Sequence, residues 1–230
     1  MPATRSPHCA SPIGACGKQA KQKVRTARGR PLASTRWLER QLNDPYVHRA
    51  RHEGYRARSA FKLLEIDAKH GLLKPGRRVC DLGAAPGSWS QVCARKGLPV
   101  VGLDLEPVEP LAGCTFLEGD FGDAETHARL VAALGGPVDL VLSDMAAPAT
   151  GQRLVDRLRA EEIAELVLAF CDEVMAPGGD ALIKLVKGAE PAARAAALPR
   201  FAQVLLVRPP ATRKESSEIF LLARRHRGAD

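Results

Sequence analysis

No apolar stretch in this 230-residue chain approaches the ~18 residues that would span a bilayer. Residues 1–20 carry Arg5 and Lys18 but no continuous apolar core, so they lack the pattern of a secretory signal. The expectation is a soluble, cytoplasmic protein. The six cysteines (Cys9, Cys16, Cys80, Cys93, Cys114 and Cys171) include no C-x-x-C pair, and no Cys/His cluster has zinc-ligand spacing. Neither a metal site nor a disulfide framework is expected. Cys80, Cys93 and Cys171 lie in apolar stretches, where a free thiol behaves as a small hydrophobe.

Acidic residues are missing altogether from positions 1–36, which hold eight of the 34 Lys and Arg. The remaining 26 basic side chains are matched by 26 Asp and Glu, so the formal charge of +8 resides entirely in that segment. Residues 1–33 therefore read as a basic arm too poor in apolar residues to fold alone, and residues 34–230 as the globular domain. Such arms serve polyanions by neutralising phosphates, or merely solubilise. Charge alone does not separate the two.

After the arm, Ser34 caps a short predicted helix near Thr35–Leu42, and Asp44-Pro45 starts another that runs toward Gly54. Ser59 opens an amphipathic helix, Ala60–His70, closed by Gly71. Beyond Pro75-Gly76 the pattern alternates. Strands are predicted at Arg78–Leu82, Pro99–Leu105, Thr115–Leu117, Val138–Ser143, Ala181–Val186, Val204–Val207 and Glu218–Ala223. Helices are predicted near Ser88–Lys96, Ala124–Leu134, Leu154–Met175 and Pro191–Leu198. Short apolar strands separated by helices imply a mostly parallel sheet covered on both faces. Residues 208–217 leave no room for a crossover helix, so the last strand must pair antiparallel. That is an α/β, Rossmann-like sheet of seven strands, in the variant found in methyltransferases.

The clearest local signal is Asp81-Leu82-Gly83-Ala84-Ala85-Pro86-Gly87-Ser88-Trp89-Ser90-Gln91, leading from a strand into a helix. Gly83 and Gly87 allow a sharp turn and close approach of a ligand. Asp104 follows Gly83 by 21 residues, at the tip of the second strand, where a carboxylate can accept from ribose hydroxyls. Asp120 ends the third strand and could meet an adenine amino group. The G-x-G-x-x-G spacing of a dinucleotide site is absent, which favours S-adenosylmethionine, a donor with no pyrophosphate to cradle.

Four further positions carry charge in telling places: Lys62 on the helix before the first strand, Asp144 at the end of the fourth, Lys184 within the fifth and Glu218 opening the last. Lys184 is the odd one, because a lysine in an apolar strand is costly without an anionic partner. Asp144, ending the neighbouring strand, could supply it. A lysine reaching solvent past the strand end is the plainer alternative.

With Ser34-Thr35-Arg36-Trp37-Leu38, Arg58-Ser59-Ala60-Phe61-Lys62-Leu63, the Asp81–Gln91 loop, Ser143-Asp144-Met145-Ala146 and Glu218-Ile219, the chain resembles the FtsJ-type ribosomal RNA ribose 2′-O-methyltransferases from about Ser34 to Ala223. The resemblance implies that Lys62, Asp144, Lys184 and Glu218 form a tetrad around the acceptor hydroxyl. It also implies that Gly87, Trp89, Asp104, Asp120 and Asp144 contact S-adenosylmethionine. The implied substrate is a uridine in the A loop of 23S rRNA on the large ribosomal subunit, and the enzyme is expected to act as a monomer without metal or membrane. Two positions depart from the family pattern. Ser88 stands where a second glycine is common, and Ala146-Ala147-Pro148-Ala149-Thr150-Gly151 lacks the usual Asn. The Asn-less loop keeps open a tRNA ribose methyltransferase on the same scaffold. A non-catalytic RNA-binding assembly factor would need the arm but not all four tetrad residues.

Methyl transfer at a sulfonium-activated carbon asks the protein for alignment and for removal of the hydroxyl proton. Lys184 is the residue expected to meet that proton, as a neutral base or as a charged stabiliser of the forming alkoxide. Asp144 is expected to position it, Lys62 to orient the ribose or phosphate, and Glu218 to set the lysines.

Overall fold

The computed structural model describes residues 41–228 together with Thr35, Leu38 and Glu39. The chain divides into Met1–Pro45 and Tyr46–Asp230. In the first unit, Thr35, Leu38, Glu39, Gln41 and Leu42 are helical, and the Asn43 side-chain amide donates to the Glu39 carbonyl at 2.6 Å. The expected cap at Ser34 and the basic arm at 1–33 lie outside the described residues.

The apolar runs of the second unit form one seven-stranded sheet. Its strands are β1 (Val79–Leu82), β2 (Val100–Asp104), β3 (Cys114–Glu118), β4 (Val138–Ser143), β5 (Met175–Val186), β6 (Phe201–Val207) and β7 (Glu218–His226). Their order is β3-β2-β1-β4-β5-β7-β6. The first five are parallel, and β7 is antiparallel to both neighbours, as the short 208–217 connection requires. The order reverses between β1 and β4, and the crevice at the carboxyl ends of those strands is where ligands bind in open α/β sheets.

Alternation along the strands splits the core in two. Val141, Ile183, Leu185, Leu221 and Ala223 face the helices α4 (Ala124–Leu134), α5 (Arg153–Val174) and α6 (Glu190–Arg200). Leu140, Leu142, Leu182, Phe220 and Leu222 face α2 (Ala60–His70) and α3 (Ser88–Arg95). Helix α1 (Pro45–His52) precedes them, and its Ala50 packs with Phe61 and Ala211. Helices thus cover both faces, and the large buried side chains of both layers hold the strand ends in register.

The element boundaries expected for α2, α4 and β4 coincide with those observed. β5, however, starts at Met175 and not at Ala181. Met175 pairs with Val138 and Asp180 with Leu140, so residues 176–179 bulge out of the ladder. The Pro177-Gly178-Gly179 turn signal is real, but it marks that bulge and not the end of a loop. α6 likewise runs two residues further than expected, through Pro199 to Arg200. Ser59 precedes α2 without a side-chain capping bond; its carbonyl is used instead, by Trp89.

Candidate active site

The glycine loop sits at the crevice. Gly83 has φ +76°, and a Cβ there would stand 2.7 Å from the Met145 backbone nitrogen, so only glycine lets the β1 and β4 ends close together. Gly87, at φ +96°, would drive a Cβ into the Arg56 guanidinium and Val108. Arg56 closes over this loop: its Nη1 donates to the Pro86 carbonyl at 3.0 Å and its Nη2 to the Pro110 carbonyl at 2.9 Å. The Arg56 backbone N–H donates to the Gln91 side chain at 2.9 Å, tying the same segment to α3.

A cleft of about 640 Å³ opens beside it, lined by Gly83, Ala85, Asp104, Asp120, Asp144 and Lys184 among others. Asp104 Oδ2 accepts from the Ala85 N–H at 2.8 Å and Oδ1 from the Glu106 N–H at 2.9 Å. The carboxylate is thereby fixed, with lone pairs left over for a ligand. Asp120 Oδ1 accepts from the Gly122 N–H at 2.9 Å. Apolar contacts come from Leu105, which is 66% exposed, and from Phe121, Met145 and Ile163. A fixed diol acceptor, a second acidic group and apolar walls fit a nucleoside with an aliphatic extension, as in S-adenosylmethionine.

Trp89 occupies a different place from its neighbours in the loop. Its ring is buried against Phe220, 5.7 Å between centroids, and its indole N–H donates to the Ser59 carbonyl at 2.9 Å. What Trp89 can offer a ligand is its backbone N–H, in the first turn of α3 where helical donors lack intrahelical partners. Ser88 is buried beside it, with a hydroxyl that has no hydrogen-bond partner among the described residues. Asp81 is fully buried below the loop. Its Oδ2 accepts from the Ser90 hydroxyl at 2.6 Å, and its Oδ1 has no partner. Burial pushes this carboxyl up to about 7, reinforced by the negative charges of Asp144 and Asp104 and opposed by the Ser90 hydrogen bond.

The four charged residues form two ion pairs on one face of the sheet. Because Ser143 pairs with Ile183, Asp144 falls beside Lys184: Nζ is 3.0 Å from Oδ1 and also donates to the Asp144 backbone carbonyl. Lys62, projecting from α2, donates to Glu218 Oε2 at 2.8 Å and lies 2.7 Å from Oε1. The register links the pairs, since Lys184 faces Phe220 and Val186 faces Glu218 across β5 and β7. Lys62 Nζ stands 5.8 Å from the centroid of that same Phe220 ring, within cation–π range. Side-chain exposures of 11–22% leave all four partly screened from water, where charge pairs count for more than on an open surface.

A second cleft of about 730 Å³ lies on the other side of Met145, Ala146 and Ala147 and also reaches Lys184. Residues 208–217 form one wall. Arg208 Nη2 donates to the carbonyls of Arg213 at 3.0 Å, Lys214 at 3.3 Å and Ser216 at 2.9 Å. Glu65 Oε2 accepts from the Ala211 N–H at 2.6 Å, fastening the loop to the helix that carries Lys62. At its end the Glu218 N–H donates to the Ser216 hydroxyl at 3.2 Å. The sequence singled out none of Arg56, Glu65, Arg208, Phe121 or Ile163. Arg56 lies two residues before the Arg58–Leu63 motif; the others carry no local signal.

Among the described residues no cluster of three His, Cys, Asp or Glu could hold a metal ion, and no helix is long and apolar enough to cross a membrane. Comparison with known proteins gives concordant results. The FtsJ-like methyltransferase family model matches residues 55–226. A Ribosomal RNA large subunit methyltransferase E from Xanthobacter autotrophicus is 49% identical over 94% of this chain and 88% of its own length. One from Zymomonas mobilis is 50% identical over 90% and 95%. A solved Plasmodium falciparum chain, provisionally described as a ribosomal RNA methyltransferase, superposes with a TM-score of 0.68 at 27% identity, covering 76% of this chain and all of that one.

Proposed function

The chain belongs to the FtsJ-like methyltransferase family, and from that premise we propose that it methylates a ribose 2′-hydroxyl of large-subunit ribosomal RNA, at a uridine of the 23S A loop, from S-adenosylmethionine. The observation that carries this reading is the sharing of one lysine by two clefts. Lys184 lines both the nucleoside-like cleft and the larger cleft beside it, separated by the Met145–Ala147 wall. A donor on one side and an acceptor on the other would meet at its Nζ.

Gly83, Ala85, Asp104 and Asp120 would hold the donor, with the Trp89 N–H at the first turn of α3. When bound, S-adenosylmethionine supplies a methyl carbon activated by its sulfonium charge. As a neutral amine, Lys184 would accept the proton of the acceptor hydroxyl as the oxygen gains the methyl group, and the Asp144 carboxylate would then pair with the ammonium so formed. Asp144 fixes the lysine through a carboxylate and a carbonyl, which removes rotamer freedom before the acceptor arrives. Lys62 and Glu218 line neither cleft; paired against Phe220, they set the charge and shape behind Lys184. The basic residues within 1–36 add sequence-independent attraction to phosphates. A soluble, cytoplasmic monomer accords with this role.

The test is a map of 2′-O-methylation across all cellular RNA in a deletion strain. Loss of one A-loop uridine methyl is expected, restored by the wild-type gene. Loss of transfer RNA methyls instead would reassign the target, and an unchanged map would overturn the enzyme reading.

A further inference from the structure

Residues 208–217 join β6 to β7 outside the sheet, so bonds from other groups must set their path. Pro209 and Pro210 offer no backbone N–H, which makes Ala211 the first backbone donor after Arg208. Ala211 is buried, 1% exposed, and side chains on and just before α2 take both of its backbone groups. Its N–H donates to Glu65 Oε2 at 2.6 Å, and its carbonyl accepts from Arg58 Nη2 at 2.6 Å. Both bonds are charge-assisted, about twice as strong as neutral ones. The other Glu65 oxygen, Oε1, accepts from the Tyr46 hydroxyl at 2.8 Å. Burial first, then the bond to Glu65 and its charge, push that phenol up to about 12, so it stays a donor at neutral pH. Phe61, Ala50 and Ala211 pack together at the same junction.

The junction is placed to govern the loop. Lys62 and Glu65 stand at (i, i+3) spacing on α2 and therefore share a face. Lys62 holds Glu218 at the far end of the loop, and Glu65 holds Ala211 near its start. One helix thus pins the stretch from Ala211 to Glu218 at both ends. Between the two pins, Lys214, Glu215, Ser216 and Ser217 wall the larger cleft. Arg58, Glu65 and Ala211 themselves line neither cleft, so any influence they have on the reaction is indirect. Such influence can be large, because a displacement of ~1 Å at the reacting atoms can cost ~10²-fold in rate.

Resting on the proposed ribose methylation, we propose that Glu65 and Arg58 are positioning residues for the transfer step. They hold the 208–217 loop through Ala211, so that Glu218 stays paired with Lys62 behind Lys184. Tyr46 fixes the rotamer of Glu65, and Arg58 closes the junction from the carbonyl side.

The test uses the full chain, S-adenosylmethionine, and large ribosomal subunits from the deletion strain. Calorimetric cofactor binding counts the folded chains, and single-turnover methylation is expressed per binding-competent chain. Glu65→Ala and Arg58→Ala should each lower that rate by up to about 10²-fold, with cofactor affinity unchanged. Glu65→Gln keeps an acceptor for the Ala211 N–H and should recover most of the loss. Tyr46→Phe releases Oε1 while the ring keeps its packing on Phe61, and this milder variant should lose severalfold at full binding stoichiometry. In a Glu218→Gln background Glu65→Ala should add little, because both act at the same point. A defect of folding alone would lower the binding stoichiometry and would multiply with Glu218→Gln. Wild-type rates per binding-competent chain in Glu65→Ala and Tyr46→Phe, or multiplying losses in the double variant, would remove Glu65 from the transfer step and leave the methyltransferase reading intact. A shallower salt dependence of RNA affinity in Arg58→Ala would make Arg58 a phosphate contact and not a positioning residue. If the wild type binds cofactor but methylates no ribosomal RNA, both readings fall.

Discussion

Lys184 Nζ is held from two sides by one residue, donating to the backbone carbonyl of Asp144 and lying 3.0 Å from its carboxylate. The carbonyl contact depends only on the path of the chain past β4, whereas the carboxylate contact depends on the aspartate itself. The two can therefore be removed separately.

Lys184→Ala removes the amine and should lower methyl transfer by about 10²–10⁴-fold, the span of a positioned proton-transfer group. Cofactor affinity should stay within a few fold. Asp144→Asn keeps the carbonyl contact and should show a smaller loss in kcat, with some loss of cofactor affinity because Asp144 also lines the donor cleft. Labelled-methyl incorporation into RNA and calorimetric cofactor binding measure the two quantities. Near-normal turnover in Lys184→Ala would sink the assignment.

The Lys62–Glu218 pair predicts a split between stability and activity. Removing one partner leaves a partly buried charge uncompensated, whereas replacing both with apolar groups of similar shape is often neutral. With side chains 11% and 17% exposed, Glu218→Gln or Lys62→Met alone should cost about 1–3 kcal/mol, below the cost of a fully buried pair. Lys62→Met combined with Glu218→Leu should recover most of that stability and none of the methylation. Denaturant midpoints and turnover on the same three proteins decide it. Recovery of activity in the double variant would mean the pair only holds the fold.

Much of this site was legible in the sequence because its signals are local. Lys184 betrayed itself by sitting in an apolar strand, and Asp104 and Asp120 by standing at strand tips where a carboxylate has no packing role. Asp144 as the partner of Lys184 followed from β4 and β5 being neighbours, and the 3.0 Å contact agrees. What was not legible depends on pairings distant along the chain. Arg56 reaches Pro86 and Pro110, and Glu65 reaches Ala211. No spacing rule announces such contacts. For Trp89, position in the loop says nothing of which part faces a ligand: its ring is core, which leaves the backbone N–H. The β5 bulge was hidden because Pro and Gly mark bulges and turns alike.

Asp81 predicts a pH-dependent stability. Its folded value of about 7 lies above the ordinary 3.8, so between those values the folded state binds the proton more tightly than the unfolded chain. Stability from this group is therefore present at acidic pH and lost as pH rises from about 4 to about 7, by at most ~4 kcal/mol. Asp81→Asn has no charge to bury and should lack this decline. Urea unfolding of both proteins at pH 5 and pH 8 should show the variant gaining on the wild type at the higher pH. Equal differences at the two values would place the Asp81 titration outside that window.

Arg208 predicts a defect confined to the acceptor side. One nitrogen holds three carbonyls of the loop that leads to Glu218, and that loop is part of the larger cleft but not of the donor cleft. Arg208→Ala releases those bonds, which are exposed to solvent, so the stability loss should be only about 1 kcal/mol. Loosening the wall should raise KM for ribosomal RNA severalfold and lower kcat through Glu218. The dissociation constant for S-adenosylmethionine should not move. Arg208→Lys keeps the charge and puts three donors on one nitrogen, but on a stem of different length and direction, and should recover part of the loss. If Arg208→Ala weakens cofactor binding as much as RNA binding, the loop supports the whole sheet edge and not the acceptor cleft in particular.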